Sequence, residues 1–301
     1  ARARWSGYDG PAPLPKSDTG LMVATDSGTR VAWPSDGSLD SQVVRRFLDQ
    51  CGLEKVPTGS VAKAIEGRLA HLDLSGQDLD SIPASVGSLG FLRELVLRRN
   101  RLHSLPASFG ALRLLDVLDL GANPLDSVPE AVRRIDSLRI LEVDSAGLRA
   151  LPSWVGNLRK LWYLGVGWNK LDSLPTSISS LKRLAILGVY QNRISSLPFG
   201  MEGMDSLDQL WAETNRIRSL PESFSRNPSL RIVQLDNNPL DSLPSDFGSL
   251  QALRDLRLTG TGLHALPASL ANLPLERLDV QGLSLCSIDP VLEPKLDSLA
   301  G

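Results

Sequence analysis

The chain has 301 residues, and its 32 basic and 34 acidic side chains give a formal charge of −2. This near-neutral balance offers no electrostatic footprint for nucleic acid, and charged residues interrupt every apolar stretch before it reaches the roughly 20 residues that span a bilayer. Cys51 and Cys286 are far apart in sequence, which argues against a disulfide framework and fits a reducing compartment. Leucine is strongly enriched, and 51 of the 56 leucines follow residue 68, so the chain divides there.

The first 68 residues contain two segments of different composition. Residues 1–37 are rich in Gly, Pro, Ser and Asp and are predicted to form an irregular extension. Residues 38–68 predict a helical cap, in which a first helix ends near Gly52 and a second covers Ser60–Gly67. The inward-facing apolar residues are Leu39, Val43, Val44, Phe47 and Leu48, followed by Val61, Ala64 and Ile65. Such a cap covers the exposed edge of whatever repeat array follows it.

From residue 69 the sequence repeats with a period of 23 residues. One leucine opens each unit, and positions within a unit are counted from it as +1, +2 and so on. The opening leucines are Leu69, Leu92, Leu115, Leu138, Leu161, Leu184, Leu207, Leu230 and Leu253. Apolar residues follow at +3 and +5, and a Leu-Pro pair or a close variant follows at +13 and +14. We therefore predict nine full repeats and a degenerate tenth over 69–289, with a tail at 290–301.

Alternation inside each unit predicts a short strand over +2 to +6. Side chains at +3 and +5 would point into a core, and those at +2, +4 and +6 would line the outer face of a parallel sheet. Asn occupies +8 in six repeats and is expected to satisfy backbone groups where the chain leaves the strand, but Ala146 replaces it in repeat 4. Apolar residues at +17 and +20 predict a short helix or 3₁₀ turn on the opposite side.

The unit L-x-x-L-x-L-x-x-N-x-L-x-x-L-P-x-x-φ-x-x-L resembles the leucine-rich repeat, and it is similar to the repeats of bacterial type III effectors and of Ras-pathway scaffold proteins. This resemblance implies an α/β solenoid, or horseshoe, with a concave parallel sheet, convex 3₁₀ or short helical segments and an N-terminal helical cap. It also implies protein–protein recognition inside a cell. The 25:7 excess of Arg over Lys favours an effector secreted by a bacterium into the host cytoplasm, with a non-enzymatic signalling scaffold as the alternative.

Aromatic residues gather at the outward positions of repeats 5 to 7. The candidate partner-binding residues there are Tyr163, Trp168, Ile186, Tyr190 and Trp211. Neighbouring strands lie about 4.8 Å apart, so these side chains are expected to converge, and Trp and Tyr are enriched at interface hot spots. Three glycines lie among them, Gly165, Gly167 and Gly188. They predict either the floor of a shallow pocket or space that the aromatic rings fill themselves.

Acidic residues flank the aromatic positions on both sides. Glu142 and Asp144 precede them in repeat 4, and Glu213 follows them in repeat 7. Asp119 and Asp236 extend the two acidic flanks into repeats 3 and 8. This arrangement favours a partner surface or peptide that carries Arg or Lys, through cation–π and charge-assisted contacts. Ordinary solvated charge is the alternative interpretation.

Catalytic constellations are scarce in the sequence. The three histidines occur in repeats 1, 2 and 9, too far apart in the array to form a metal site or a catalytic triad. Cys286 invites comparison with the nucleophile of bacterial ubiquitin ligases that carry leucine-rich repeats, but their Cys-x-Asp motif is absent. No glycine-rich phosphate loop is present. We therefore predict a chain without enzymatic activity, cofactor or metal, with any catalytic domain outside it.

Overall fold

The structure is a computed structural model that describes residues 39–65, 68–283, 286 and 289–295. The predicted extension at 1–37 lies outside these residues, as do parts of the tenth repeat and of the tail. The described part begins with helix α1 (Leu39–Gln50), a single helical turn α2 (Thr58–Val61) and strand β1 (Ala62–Ile65). No helix in the described ranges is long and apolar enough to cross a membrane.

The sheet contributes one strand per repeat. Its strands after β1 are β2 (Arg68–Asp73), β3 (Glu94–Val96), β4 (Val117–Asp119), β5 (Ile140–Glu142), β6 (Tyr163–Gly165), β7 (Ile186–Gly188), β8 (Gln209–Trp211), β9 (Ile232–Gln234), β10 (Asp255–Arg257) and β11 (Arg277–Asp279). They pair in sequence order, and β2 to β11 are parallel. Leu141 pairs with Leu164, and Leu164 pairs with Leu187, so equivalent positions of successive repeats lie side by side in the sheet. The predicted leucine-rich repeat horseshoe is confirmed.

The predicted second cap helix is wrong over most of its length. Only Thr58–Val61 is helical, and Ala62–Ile65 instead forms β1, which pairs antiparallel with β2. The reason is the open edge of the sheet, where unpaired backbone groups of the first repeat need hydrogen-bond partners that a helix cannot supply. The first helix is as predicted: α1 buries Val44, Phe47 and Leu48. Gly52, just after it, adopts a left-handed conformation with φ 74°.

The core runs continuously along the array. Side chains at 0, +3 and +5 are buried in repeats 2 to 8, as Leu161, Leu164 and Val166 illustrate in repeat 5. On the convex side, the described chain forms 3₁₀ turns at Ala84–Ser88, Ala107–Ala111, Glu130–Arg134, Ser153–Asn157, Thr176–Ser180, Met201–Gly203, Glu222–Arg226, Phe247–Ser249 and Ala268–Asn272. Seven of them follow directly on the proline at +14, which cannot donate a backbone hydrogen bond and is tolerated at a helical start.

Buried asparagines hold successive turns together where the chain leaves each strand. The Asn169 side chain donates to the carbonyls of Val143 and Val166 at 2.9 Å, and its oxygen accepts from the backbone of Leu148 at 2.9 Å. Asn100, Asn123, Asn192, Asn215 and Asn238 make equivalent bonds. At the Ala146 break, the backbone carbonyl of that residue accepts from Leu125 N–H at 3.1 Å. A main-chain oxygen therefore takes the place of the missing amide.

Candidate binding surface on the concave face

The outward side chains of β5 to β8 form an apolar cluster of their own. Its buried members are Ile140, Tyr163, Ile186, Tyr190 and Trp211, which we call the concave cluster. None of these side chains is more than 9% exposed. The rings of Tyr163 and Trp211 meet edge to face, with centroids 6.2 Å apart and planes at 64°. The predicted convergence of these aromatic residues is thus correct, but the resulting surface is closed.

The three glycines do not form the floor of an open pocket. A Cβ atom added at Gly167 would lie 2.5 Å from Cζ of Tyr190, and one added at Gly165 would lie 2.8 Å from the Tyr163 hydroxyl. Gly188 is less tightly covered, because its added Cβ would be 3.4 Å from the nearest atom of Trp211. The pocket interpretation is therefore corrected. The glycines make room for aromatic rings of the same chain, which lie flat on the strands and fill the space.

Trp168 behaves differently from the other candidate aromatics. Its side chain is 45% exposed, and its backbone is left-handed with φ 53°. Position +7 is left-handed in the other full repeats too, and glycine occupies it in repeats 1 and 9, at Gly76 and Gly260. A bulky residue pays a conformational cost there that glycine avoids. Trp168 therefore lies at the rim of the concave face, outside the concave cluster.

Asp144 joins the aromatic and acidic parts of the face. It accepts a short hydrogen bond from the Tyr190 hydroxyl, and its other oxygen accepts from Gly167 N–H at 2.5 Å. Burial raises the pKa of Asp144, and these two hydrogen bonds act in the opposite direction. This carboxylate holds the Tyr190 ring over Gly167, so part of its hydrogen-bonding capacity is used within the protein.

Glu142 is the carboxylate with the least internal compensation. Burial raises its pKa to about 7, and the negative charges of Asp119 and Asp144 add to that rise. Among the described residues, the Glu142 side chain makes no hydrogen bond or ion pair. Arg98 is the neighbouring cation, and its closest approach is to Asp119 Oδ2 at 3.7 Å. Arg98 is the one cation near all three carboxylates, with Arg99 also near Asp119, and we call Asp119, Glu142 and Asp144 the acidic cluster.

The acidic flank in repeats 7 to 9 is better balanced. Burial raises the pKa of Asp236, while its Oδ1 accepts from Thr259 N–H at 2.9 Å. Arg257 lies among Asp255, Asp236 and Glu213, whose charges raise the pKa of its guanidinium. The two flanks that look alike in sequence thus differ, because Arg257 pairs with Asp255 at 3.2 Å in the second, whereas Glu142 of the first has no such partner among the described residues.

Three leucine-rich repeat family models match the chain. They are a leucine-rich repeat region over residues 114–227 and leucine-rich repeats over 67–125 and 229–250. Together with the stacked parallel strands and the asparagine ladder, these matches decide the class of protein. The chain is a leucine-rich repeat solenoid. None of the matching models describes a catalytic domain, and leucine-rich repeats typically act as binding modules.

Solved structures of other leucine-rich repeat proteins are similar to this solenoid. A Leptospira interrogans leucine-rich repeat protein is 28% identical with a TM-score of 0.66, and the match covers 74% of this chain and 63% of that one. The plant peptide hormone receptor RGFR1, in complex with RGF2, is 26% identical with a TM-score of 0.53, over 69% of this chain and 41% of that one. The solenoid therefore spans less than two thirds of either protein. No curated protein sequence matches it.

The Arabidopsis thaliana receptor kinase GASSHO1/SCHENGEN3 shows the same fold. Its ectodomain, in complex with CASPARIAN STRIP INTEGRITY FACTOR 2, is 24% identical with a TM-score of 0.56. The match covers 71% of this solenoid and 30% of that chain.

One member of the concave cluster, Ile140, was not identified by the sequence analysis. Trp162 packs against this cluster while partly buried. Ile140 occupies +2 of repeat 4, directly beside Tyr163 in the sheet register. An outward apolar residue one strand away from an aromatic one is the signal that could have identified it. Of the histidines, His71 is used within the solenoid, where its Nδ1 lies 2.8 Å from Glu94 Oε2.

Proposed function

We propose that the concave face binds a protein segment that carries Arg or Lys, with the acidic cluster as the main determinant. The observation that carries this proposal is the placement of the Glu142 carboxylate. It is half-buried beside Asp119 and Asp144, its side chain makes no hydrogen bond or ion pair among the described residues, and Arg98 is the one cation near all three carboxylates. Burying like charges together costs free energy, and a cation from a partner would relieve that cost. Perturbed carboxylates of this kind occur preferentially at functional sites.

The concave cluster supplies a rigid apolar surface next to these charges. Because its rings are packed on glycines and on one another, they lose little conformational freedom when a partner binds. Apolar parts of a bound segment would lie across Tyr163 and Trp211 while its cation reaches Glu142. Extended concave surfaces of this type are the usual binding sites of solenoid proteins, and two structural relatives are receptors in complex with peptide factors.

Selection from a random peptide library displayed on phage tests the proposal. Wild-type protein is expected to enrich peptides that contain Arg or Lys, because those side chains neutralise the acidic cluster. The double variant Asp119→Asn/Glu142→Gln keeps the shape of both side chains and removes their charge, so the enrichment should disappear. The matched control Asp136→Asn/Asp205→Asn removes the same charge from exposed positions outside the concave strands and should select like wild type.

Two results would contradict a concave site for basic segments. One is equal enrichment of Arg and Lys by wild type and by the acidic-cluster variant. The other is loss of enrichment in the control variant, since this would attribute selection to overall charge. Circular dichroism of all three proteins separates either result from a failure to fold.

The cellular setting remains the one predicted from the sequence. We propose a target-binding part of a bacterial type III effector that acts in the host cytoplasm, with a Ras-group signalling scaffold as the alternative. The support is the similarity of the repeat unit to those of effectors and the 25:7 ratio of Arg to Lys. Fusing the natural N-terminal coding region to a reporter and measuring type III-dependent injection tests this proposal. Absence of injection would favour the scaffold.

A further inference from the structure

A row of cations lies on one lateral edge of the solenoid, where the chain leaves the strands of repeats 5 to 7. Lys170, Arg193 and Arg216 all occupy position +9, and all three are exposed. Trp168 lies two residues before the first of them. We call these four residues the basic edge.

The backbone fixes the spacing of this row. The N–H groups of Lys170, Arg193 and Arg216 each donate to a carbonyl of the preceding repeat, at 2.8 to 2.9 Å. Adjacent turns are therefore stacked as regularly as the strands, which lie about 4.8 Å apart. The outer two of the three side chains thus start about 10 Å from each other on a rigid support. A flexible surface would not hold them in line.

These three cations are not neutralised within the described chain, where no ion pair within 4 Å is recorded for any of them. Arg101 provides the comparison, because it occupies the same position in repeat 2 and pairs with Asp78 at 2.7 Å. Other repeats carry no cation at +9: the residues there are Asp78, Pro124, Gly147, Pro239 and Gly262. Like charges on adjacent turns repel one another, so this run is unfavourable for the isolated protein.

Trp168 adds an apolar element to the same edge. Its side chain is 45% exposed, and its left-handed backbone is the one that position +7 adopts throughout the array. An exposed indole beside a row of cations is a surface that can contact both an apolar side chain and carboxylates.

We propose that the basic edge binds an acidic segment of a protein, in which carboxylates pair with Lys170, Arg193 and Arg216 and an apolar side chain packs on Trp168. This is a second interaction surface with the opposite charge preference from the concave face. A protein segment fits better than nucleic acid, because the row is short and the formal charge of the chain is −2. A partner with both acidic and basic segments could engage the two surfaces together.

A labelled nonapeptide of three Glu-Glu-Phe units is the probe, and its affinity is measured by fluorescence anisotropy at low ionic strength. The triple variant Lys170→Gln/Arg193→Gln/Arg216→Gln should bind about tenfold more weakly, since each exposed ion pair contributes roughly twofold. Trp168→Ser should weaken binding about threefold through lost apolar contact. The matched control Arg101→Gln/Arg133→Gln/Arg254→Gln removes the same charge from arginines that already have carboxylate partners, and should stay within twofold of wild type.

Three outcomes would overturn the proposal. The first is an affinity in the triple variant equal to that of wild type. The second is an equal loss in the control, which would make the effect one of net charge. The third is tighter binding of wild type to a thymidine decanucleotide than to the peptide, which would identify a phosphate-binding edge. Because the substituted side chains are exposed or, at Arg254, half-buried, unchanged circular dichroism is expected throughout. The acidic-cluster variant should bind this probe at least as well as wild type.

Discussion

Repeats 3 and 4 differ from repeats 5 to 7 in the side chains that occupy the outward positions of the concave face. In both regions the strands share one register and bury the same inward leucines. In the first region, the outward positions carry Asp119, Glu142 and Asp144, which keep an excess of half-buried charge. In the second, Tyr163, Tyr190 and Trp211 close over glycines and leave an apolar surface. One backbone therefore supports a surface under electrostatic strain beside one that is fully packed.

The backbone of the solenoid does not prescribe which side chains occupy the outward positions. The inward leucines and the asparagine ladder hold the turns together in both regions, so the outward residues are left to vary. In repeats 5 to 7 they add stability through burial, and in repeats 3 and 4 they lower it. Each prediction below tests one side of this contrast.

The largest expected effect is on the packed region. Trp211→Ala removes a ring that is 3% exposed and that touches Tyr163, so we expect the free energy of unfolding to fall by about 3 kcal/mol. Urea denaturation followed by circular dichroism measures this. Trp168→Ala is the matched control, because its ring is 45% exposed, and it should cost less than about 1 kcal/mol. Equal losses in the two variants would mean that the concave cluster is not a packed unit.

The next effect separates two glycines of the same face. Gly167→Ala places a Cβ 2.5 Å from Tyr190, so that ring must move and its hydrogen bond to Asp144 is lost. We expect a destabilisation of about 2 kcal/mol. Gly188→Ala meets only ordinary contacts and should change stability by less than about 0.5 kcal/mol. A Gly167→Ala variant as stable as wild type would show that Tyr190 does not depend on this space.

The smallest effect concerns Glu142 in the acidic cluster and depends on pH. The folded-state pKa of Glu142 is about 7, above its usual value of 4.5, so the folded protein binds a proton more tightly than the unfolded chain. Wild type should therefore lose stability as pH rises from about 4.5 to 7. Glu142→Gln should lack this loss and be more stable by about 1 kcal/mol at pH 8, a value reduced for partial solvent exposure. Near pH 4.5 the two proteins should be equally stable.

Urea titrations of both proteins across this pH range make the measurement. A difference between them that does not change with pH would contradict the assignment of the strain to Glu142. Protonation of Glu142 also affects binding. Below pH 7 it removes the charge that a basic partner would contact, so the affinity of the protein for such a partner should decrease below pH 7.

Much of the fold followed from sequence periodicity, and the exceptions have local causes. Leucine spacing located the strands, and the asparagines at +8 made the predicted bonds to the backbone. The second cap helix failed because Ala62–Ile65 satisfies the open edge of β2, a tertiary demand that local helical pattern does not include. For the site, the convergence of Tyr163, Tyr190 and Trp211 was predictable from the strand register. Whether these rings would leave a pocket above the glycines or fill the space themselves was not predictable.

The sequence by itself determined the class of solenoid, the register of its strands and which residues share the concave face. These follow from a fixed period, because each turn repeats the same backbone hydrogen bonds and the same inward contacts. Only the tertiary structure decided which outward side chains are exposed. Whether a ring covers a neighbouring glycine, or whether a carboxylate finds a cation, depends on rotamers and contacts across strands. For this reason Trp211 is closed in a cluster while Trp168 and the cations of the basic edge are exposed to solvent.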